Sequence, residues 1–539
     1  MLSLLLVAAL MQEPATQDFP GPEDLRVAAR VLGIEIEEAE AEQMLEAVTQ
    51  RIGDLERLRA YPLAWDEPFS LGFNPLLPGV EDRSSDFGAV EITLPPAERP
   101  TDLSELAFAQ IPTLASLIRS RQVSCTELTE LYLDRLEQHD DALNCVVTTT
   151  RERAMAMAKE LDAELEAGRW RGLLHGIPYG AKDLLSVAGY PTTWGAKPYQ
   201  QQRLEVDASV IGRLDEAGAV LVAKLSLGAL AMGDQWYRGR TNNPWNTEQG
   251  SSGSSAGSAA ATAAGLVPFA IGSETLGSIV SPSVRCGNTS LRPTFGRVPR
   301  GGAMPLSWTM DKLGVLGTSA VDCAIVMDAI HGKDGVDPDA VTRPFRLSGA
   351  TDVKGWHVGF FAKAREQHEG YARTLEELEA LGVTLVSIEL PDYPTWEMML
   401  ILMAEAACSF DELTRDGRDD QLVQQGDDAW PNLFRAARLI PAVEYVRANR
   451  LRTALCRDMD QVMSKIDLYV HPPYGGSSLG ITNLTGHPCV VAPSGVAREG
   501  HQPATVCFTG QLYADDRLLA LVETWQRATE YDEQSPPGF

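Results

Sequence analysis

The sequence predicts an α/β fold in which a central sheet is covered by helices on both faces. Two observations predict it. Short apolar runs of strand length recur along the chain, at 218–224 (GAVLVAK), 266–272 (LVPFAIG) and 468–471 (LYVH). They are continuous rather than alternating, as strands buried on both faces read. Between and before them, apolar residues fall at three- and four-residue spacing. Leu114, Leu117, Ile118, Leu128, Leu131, Tyr132 and Leu136 fit two short amphipathic helices, and a third is expected from about Thr150 to Glu166. Buried strands separated by helices make a sheet with helices on both sides. The 539 residues, 44% apolar and 22% charged, supply ample core for one large domain or several smaller ones.

The first hundred residues read differently. Residues 2–11 (LSLLLVAALM) form an apolar run of signal-peptide length, without a basic residue before it. Segment 1–15 is therefore read as a signal peptide or a plain tail, and a periplasmic or secreted location is favoured over a cytoplasmic one. No run approaches 18 apolar residues, so no membrane-spanning helix is expected. Residues 23–60 read as helical, with Ala41, Met44, Leu45, Val48, Ile52, Leu55 and Leu58 on one stripe. Seven prolines then fall between Tyr61 and Pro100, which predicts an extended connector wrapping the surface. The expected organisation is thus 16–100 as helical extension and connector, and 101–539 as the main domain.

A net charge of −28 argues against a nucleic-acid backbone as the main partner, since phosphate repulsion is not offset, and leaves room for a local basic patch. The eight cysteines are scattered, with no CxxC pair, and read as small buried hydrophobes rather than metal ligands.

Two Gly/Ser turns are the most unusual segments. The first, 250–258 (GSSGSSAGS), leads into an Ala-rich stretch, an apolar run and the second turn, 272–283 (GSETLGSIVSPS). A linker does not fit that context. An active-site loop, an anion cradle and a structural turn all do, although GxxxxGK[ST] is absent. GSSAG (253–257) matches a GxSxG elbow centred on Ser255, but the polar TNNPWNTEQGSS before it is no buried strand, so the match is read as chance.

Serine needs a base to become a nucleophile. His139, His331, His357, His368 and His501 sit in polar stretches, while His175, His471 and His487 are flanked by Gly or Pro. None stands out as a partner. Lys182, in HGIPYGAKDLLSVAGYPTTWG (175–195), has apolar and glycine-rich surroundings that would depress its pKa and make it a base. The competing reading is a surface lysine in a weak ion pair with Asp183.

Together, HGIPYGAKD, the Gly/Ser run and the second serine turn resemble the amidase signature family. The likeness extends from about Asp102 to the C-terminus through LRPTFGRVPR (291–300), MDKLGVLGTSAVDCAIVMDAI (310–330) and TNLTGHPCVVAPSG (482–495). It implies an α/β/α sandwich around a mixed, twisted sheet. It also implies an amidohydrolase that cleaves a carboxamide C–N bond without metal or other cofactor. The family's catalytic lysine falls on Lys182, its bridging serine on Ser254 after a cis Gly253–Ser254 bond, and its acyl-forming nucleophile on Ser278. The implied oxyanion hole is the backbone N–H groups of Thr275, Leu276, Gly277 and Ser278. The implied partner is a small-molecule amide, and a homodimer is compatible with the family.

The chain also departs from the pattern. The usual G-[ST]-D-x-G-G-S-I-R reads GSETLGSIV, with Glu274, Leu276 and Val280 as replacements. Leu276 resists positive φ and adds bulk near the nucleophile. The alternative reading is the glutaminase subunit of a tRNA-dependent amidotransferase, a relative in the same family. The segment 404–417 (AEAACSFDELTRDG) lacks that subunit's NLARYDG-like pattern, and 224–233 (KLSLGALAMG) lacks the acidic residue after KxN. The amphipathic segment 23–60 leaves a weak likeness to the small helical subunit of such enzymes.

Overall fold

The computed structural model describes residues 20–60, 64–79, 82–83, 91–495 and 501–539. The apolar run 2–11 lies outside these residues. Eleven strands form one sheet: β1 Val146–Thr149, β2 Pro178–Lys182, β3 Val220–Leu225, β4 Phe269–Glu274, β5 Thr289–Arg292, β6 Lys312–Gly317, β7 His357–Phe360, β8 Thr384–Ser387, β9 Leu468–His471, β10 Cys489–Pro493 and β11 Thr505–Gly510. Their order is β1-β3-β2-β4-β6-β5-β10-β11-β9-β7-β8. β3, β2 and β4 are mutually parallel, as are β9, β7 and β8, and antiparallel pairs join the two groups. The sheet is mixed, as expected. The central strands β2, β3, β4 and β6 are buried along their whole length, and of these β3 and β4 read as continuous apolar runs in the sequence.

The expected helices are present at Ile111–Arg119, Cys125–Leu143 and Arg151–Glu166. The second begins with a capping box, Ser124 and Glu127 each satisfying the other's backbone amide. Among the described residues no helix is long and apolar enough to cross a membrane.

The N-terminal segment corrects one expectation. Residues 23–60 form two helices, Pro22–Val31 and Glu38–Arg59, not one. Gly33, at φ +73°, turns the chain after the first. The stripe is only partly covered: Ala41 is buried, but Met44, Leu55 and Leu58 are exposed. In the connector, residues 64–79 and 91–100 carry no helix or strand. The former is pinned by aromatic contacts, Trp65 on Trp194, Phe69 on Trp308 and Phe73 on Phe295, with the Arg452 guanidinium 3.4 Å over the Phe73 ring.

Candidate active site

The site forms where parallel strands end. Lys182 is the last residue of β2, and β4, paired beside it through Ala181 and Ile271, runs on to Ser273 and Glu274. Such strand ends leave a crevice for ligands. From the first Gly/Ser turn, Ser254 and Ser255 arrive just ahead of helix Ala256–Ala263, and the Gly253–Ser254 peptide is cis. Small residues let these segments touch. A Cβ on Gly253 would meet the Gly233 carbonyl at 1.9 Å, and one on Gly272 would meet Ser255 Oγ at 2.8 Å.

Lys182 is fully buried. Its Nζ lies 2.8 Å from Ser254 Oγ, 3.0 Å from Ser255 Oγ, 2.9 Å from Ser273 Oγ and 3.3 Å from the Ser273 carbonyl. All four partners are neutral. Burial pushes its pKa well below the ordinary lysine value, against the weaker pull of the Asp311 and Glu274 carboxylates. The neighbours then assign the amine's three positions. The Ser273 carbonyl can only accept. Ser255 Oγ–H donates to that carbonyl at 3.1 Å, while its oxygen accepts from the Ser273 amide at 3.2 Å. A neutral amine has two N–H groups, which these two oxygens accept, and its lone pair is left facing the Ser254 and Ser273 hydroxyls.

The sequence-level alternative, an ion pair with Asp183, fails. Asp183 Oδ1 is 2.6 Å from Lys224 Nζ, both groups being fully buried. Its other oxygen accepts from the Thr193 amide at 2.9 Å and from the Thr193 hydroxyl.

Ser278 lies on the loop between β4 and helix Val280–Cys286 and is 8% exposed. The Ser255 amide donates to its carbonyl at 3.0 Å, which ties the two serine turns together. Among the described residues, the amides of Thr275, Leu276, Gly277 and Ser278 donate to no protein acceptor. The backbone part of the Leu276 expectation does not arise: positive φ, +85°, falls on Gly277, and Leu276 has none.

Glu274 holds this loop from beneath. Its Oε2 accepts from the Ile279 and Val280 amides at 2.8 and 2.9 Å, and its Oε1 from Arg292 Nη1 and Asn483 Nδ2, both at 2.8 Å. It is fully buried, and this pairing keeps its carboxyl down at about 2 in spite of burial. Thr275 Oγ1 donates to Asp311 at 2.5 Å, whose other oxygen accepts from the Leu306 and Ser307 amides.

A cleft of about 770 Å³, counting its open mouth, lies beside Ser273 and Thr275. Its walls include Leu184, Met304, Leu306 and Trp308, and the connector contributes Phe69. Arg300 is its only cation among the described residues, and Asp337 and Asp339 hold it at 2.8 and 2.7 Å.

The family model described as Amidase matches residues 127–491. The chain belongs to the amidase family. It is an enzyme of the amidohydrolase type, acting on amide C–N bonds, on the mixed α/β fold of amidase-signature structures. It is 31% identical over 479 residues to a glutamyl-tRNA(Gln) amidotransferase subunit of Methylococcus capsulatus, covering 79% of this chain and 98% of that one. The corresponding subunit of Chloroflexus aggregans is 30% identical over 488 residues, at 80% and 99% coverage. Among solved structures, the native peptide amidase of Stenotrophomonas maltophilia is similar at 27% identity and TM-score 0.73, covering 81% of this chain and 99% of that chain.

The structure brings Lys182, Ser254 and the Ser278 loop together. Reading the amidase sequence missed Ser255 and Ser273 as partners of Lys182, and Arg292 and Asn483 as partners of Glu274. Ser255 belongs to the chance elbow match, yet its hydroxyl is a direct contact of the lysine. The histidines leave the field clear among the described residues. His175 Nε2 bonds the Leu161 carbonyl and His487 Nδ1 the Thr485 hydroxyl. His331, in a polar stretch of the sequence, is half-buried, and burial pulls its pKa down to about 4.

Proposed function

We infer that this chain is a stand-alone amidohydrolase that cleaves a carboxamide through an acyl-enzyme on Ser278. The observation that carries the reading is a fully buried Lys182 with no counter-charge in contact, 2.8 Å from the Ser254 hydroxyl. The Lys182 lone pair accepts the Ser254 proton while Ser254 takes the proton of Ser278 Oγ. The Ser278 oxygen bonds to the carbonyl carbon, and the unsatisfied amides of 275–278 receive the oxyanion. Collapse breaks the C–N bond, and the relayed proton leaves with the amine. Water then releases the acid by the same relay in reverse. This is nucleophile–base–orienter logic with lysine in place of histidine.

A fluorophosphonate probe tests the assignment. Wild type should be labelled on Ser278 and the Ser278→Ala variant should not; equal labelling of both sinks it.

The curated relatives support a second reading, the glutaminase subunit of an amidotransferase. The cleft argues for the first. Free glutamine presents a carboxylate, and the only cation in the described lining is already held by two aspartates. Apolar walls suit an amide carrying an aryl or alkyl group. Turnover of a panel of aryl, alkyl, peptide and glutamine amides separates the readings. Preference for glutamine, stimulated by charged tRNA and partner subunits, would favour the second.

A further inference from the structure

The sequence gives no hint of a metal site, because its cysteines are far apart. The fold changes that. His471 at the end of β9 stands directly across from Cys507 of β11, and Cys489 of β10 lies diagonally opposite Cys507, facing Thr509. Residues paired in register share one face of a sheet, so all three side chains project together. One imidazole nitrogen and the two thiol sulfurs lie within 4.8 Å of one another, and all three residues are buried.

The geometry points to a binding site for a soft, thiophilic cation on His471, Cys489 and Cys507. Three features beyond proximity support it. First, the imidazole is already oriented. The Pro472 carbonyl, 2.9 Å from Nδ1, can only accept, so the ring proton sits on Nδ1 and the Nε2 lone pair faces inward. A ligating histidine is ordinarily held this way, by a second bond from its other nitrogen. Second, the thiols are directed at one another and at the ring: Cys489 interacts with Cys507 and His471, its contact to the Val490 carbonyl being a long one of 3.9 Å. Third, the charge closes. Two thiolates and a neutral imidazole bring a divalent d¹⁰ ion to zero net charge, and the two thiol protons leave to solvent on binding. No carboxylate joins the set, which disfavours Mg²⁺ and Ca²⁺. The Ser478 and Thr509 hydroxyls, 3.2 and 3.1 Å from Nε2, hydrogen-bond to that lone pair and would turn aside when a cation binds. Zinc would take a fourth ligand, whereas copper(I) can be three-coordinate.

The cluster has a structural neighbour of consequence. Val280 and Val284, of the helix that follows Ser278, and Leu479 pack against the two cysteines. A bound cation would therefore brace the helix that follows the proposed nucleophile.

The test reads metal directly, not activity. Reduced full-length protein, stripped with chelator, is equilibrated anaerobically with Zn²⁺ or with Cu⁺ and desalted, and metal is counted by mass spectrometry. Co²⁺ substitution is followed by its thiolate charge-transfer absorption. One equivalent per chain is expected. Cys489→Ala and Cys507→Ala should each weaken binding by more than the roughly 10–100-fold that loss of an outer partner costs. Cys408→Ala, an exposed cysteine elsewhere, should leave it unchanged. If the cluster variants do not fold, the wild-type cobalt band decides. Failure of all three ions to bind stoichiometrically, retention of metal by a folded variant combining Cys489→Ala and Cys507→Ala, or isolation of a Cys489–Cys507 disulfide in place of metal would each overturn the site.

Discussion

Two lysines at the ends of neighbouring parallel strands have opposite surroundings. Lys182 ends β2 and Lys224 lies one residue before the end of β3, paired across from Ala181. Both are fully buried. Lys224 has Asp183 at 2.6 Å, together with the Pro191 carbonyl and Thr192 hydroxyl. Lys182 has three serine hydroxyls and a carbonyl. Burial lowers the pKa of both, but Asp183 opposes the shift at Lys224, while at Lys182 it runs well below the ordinary value. Burial alone does not make a base. A buried lysine with a carboxylate in contact is a structural ion pair; one with hydroxyls in contact can exchange protons with them. Lys312 sharpens the point from the other side. It is buried and its pKa is also well below the usual value, but among the described residues its amine meets the Met310 carbonyl and no serine hydroxyl, so no hydroxyl proton reaches it there.

Substitution should separate the two. Lys182→Met is expected to lower kcat/KM by about 10²–10⁴-fold, the range for loss of a general base, with the fold intact by circular dichroism. Lys224→Met should act on stability instead. It strands a buried carboxylate at Asp183, and removing one partner of such a pair costs roughly 3–5 kcal/mol, read as a lower denaturant midpoint. Adding Asp183→Leu to that variant should recover much of the loss, because the stranded charge goes with it. If Lys224→Met abolished chemistry in a fully stable protein, the distinction would be broken.

The smallest expected effect is a pH dependence of stability. On the proposed reading Lys182 is neutral in the fold, where burial lowers its pKa, and regains an ordinary pKa of about 10.4 on unfolding. In the window between its depressed folded value and about 10.4, the unfolded state binds the extra proton, so stability rises with pH. Lys182→Met lacks that proton. Its denaturation midpoint should therefore exceed that of wild type by most near neutrality, with the gap narrowing as pH approaches 10. A gap independent of pH would mean that the lysine is charged in the fold.

Much of the molecule is legible in sequence, for identifiable reasons. The central strands are covered on both faces and announce themselves as apolar runs; β9 at 468–471 matches its predicted bounds. Lys182, Ser254 and Ser278 stand in motifs whose residues sit close together in the chain. What escapes depends on pairing across long separations. Asp183 lies beside Lys182 in sequence but answers Lys224, and Glu274 is held by Arg292 and by Asn483, 209 residues away. His471, Cys489 and Cys507 have no local spacing in common with a metal motif; only the antiparallel order of β9, β11 and β10 aligns them. In the nucleophile loop the positive φ that Leu276 would resist falls on Gly277 instead.

The central claim is that Lys182 is a neutral amine at physiological pH, poised to take a proton. The rate at which a fluorophosphonate inactivates the free enzyme, followed from pH 5 to 10, tests it most directly. The account predicts a rate that is level from neutrality upward and declines only on the acid side, as the depressed amine protonates. A rate that climbed about tenfold per pH unit toward 10 would report a base with the ordinary lysine value and would contradict the account.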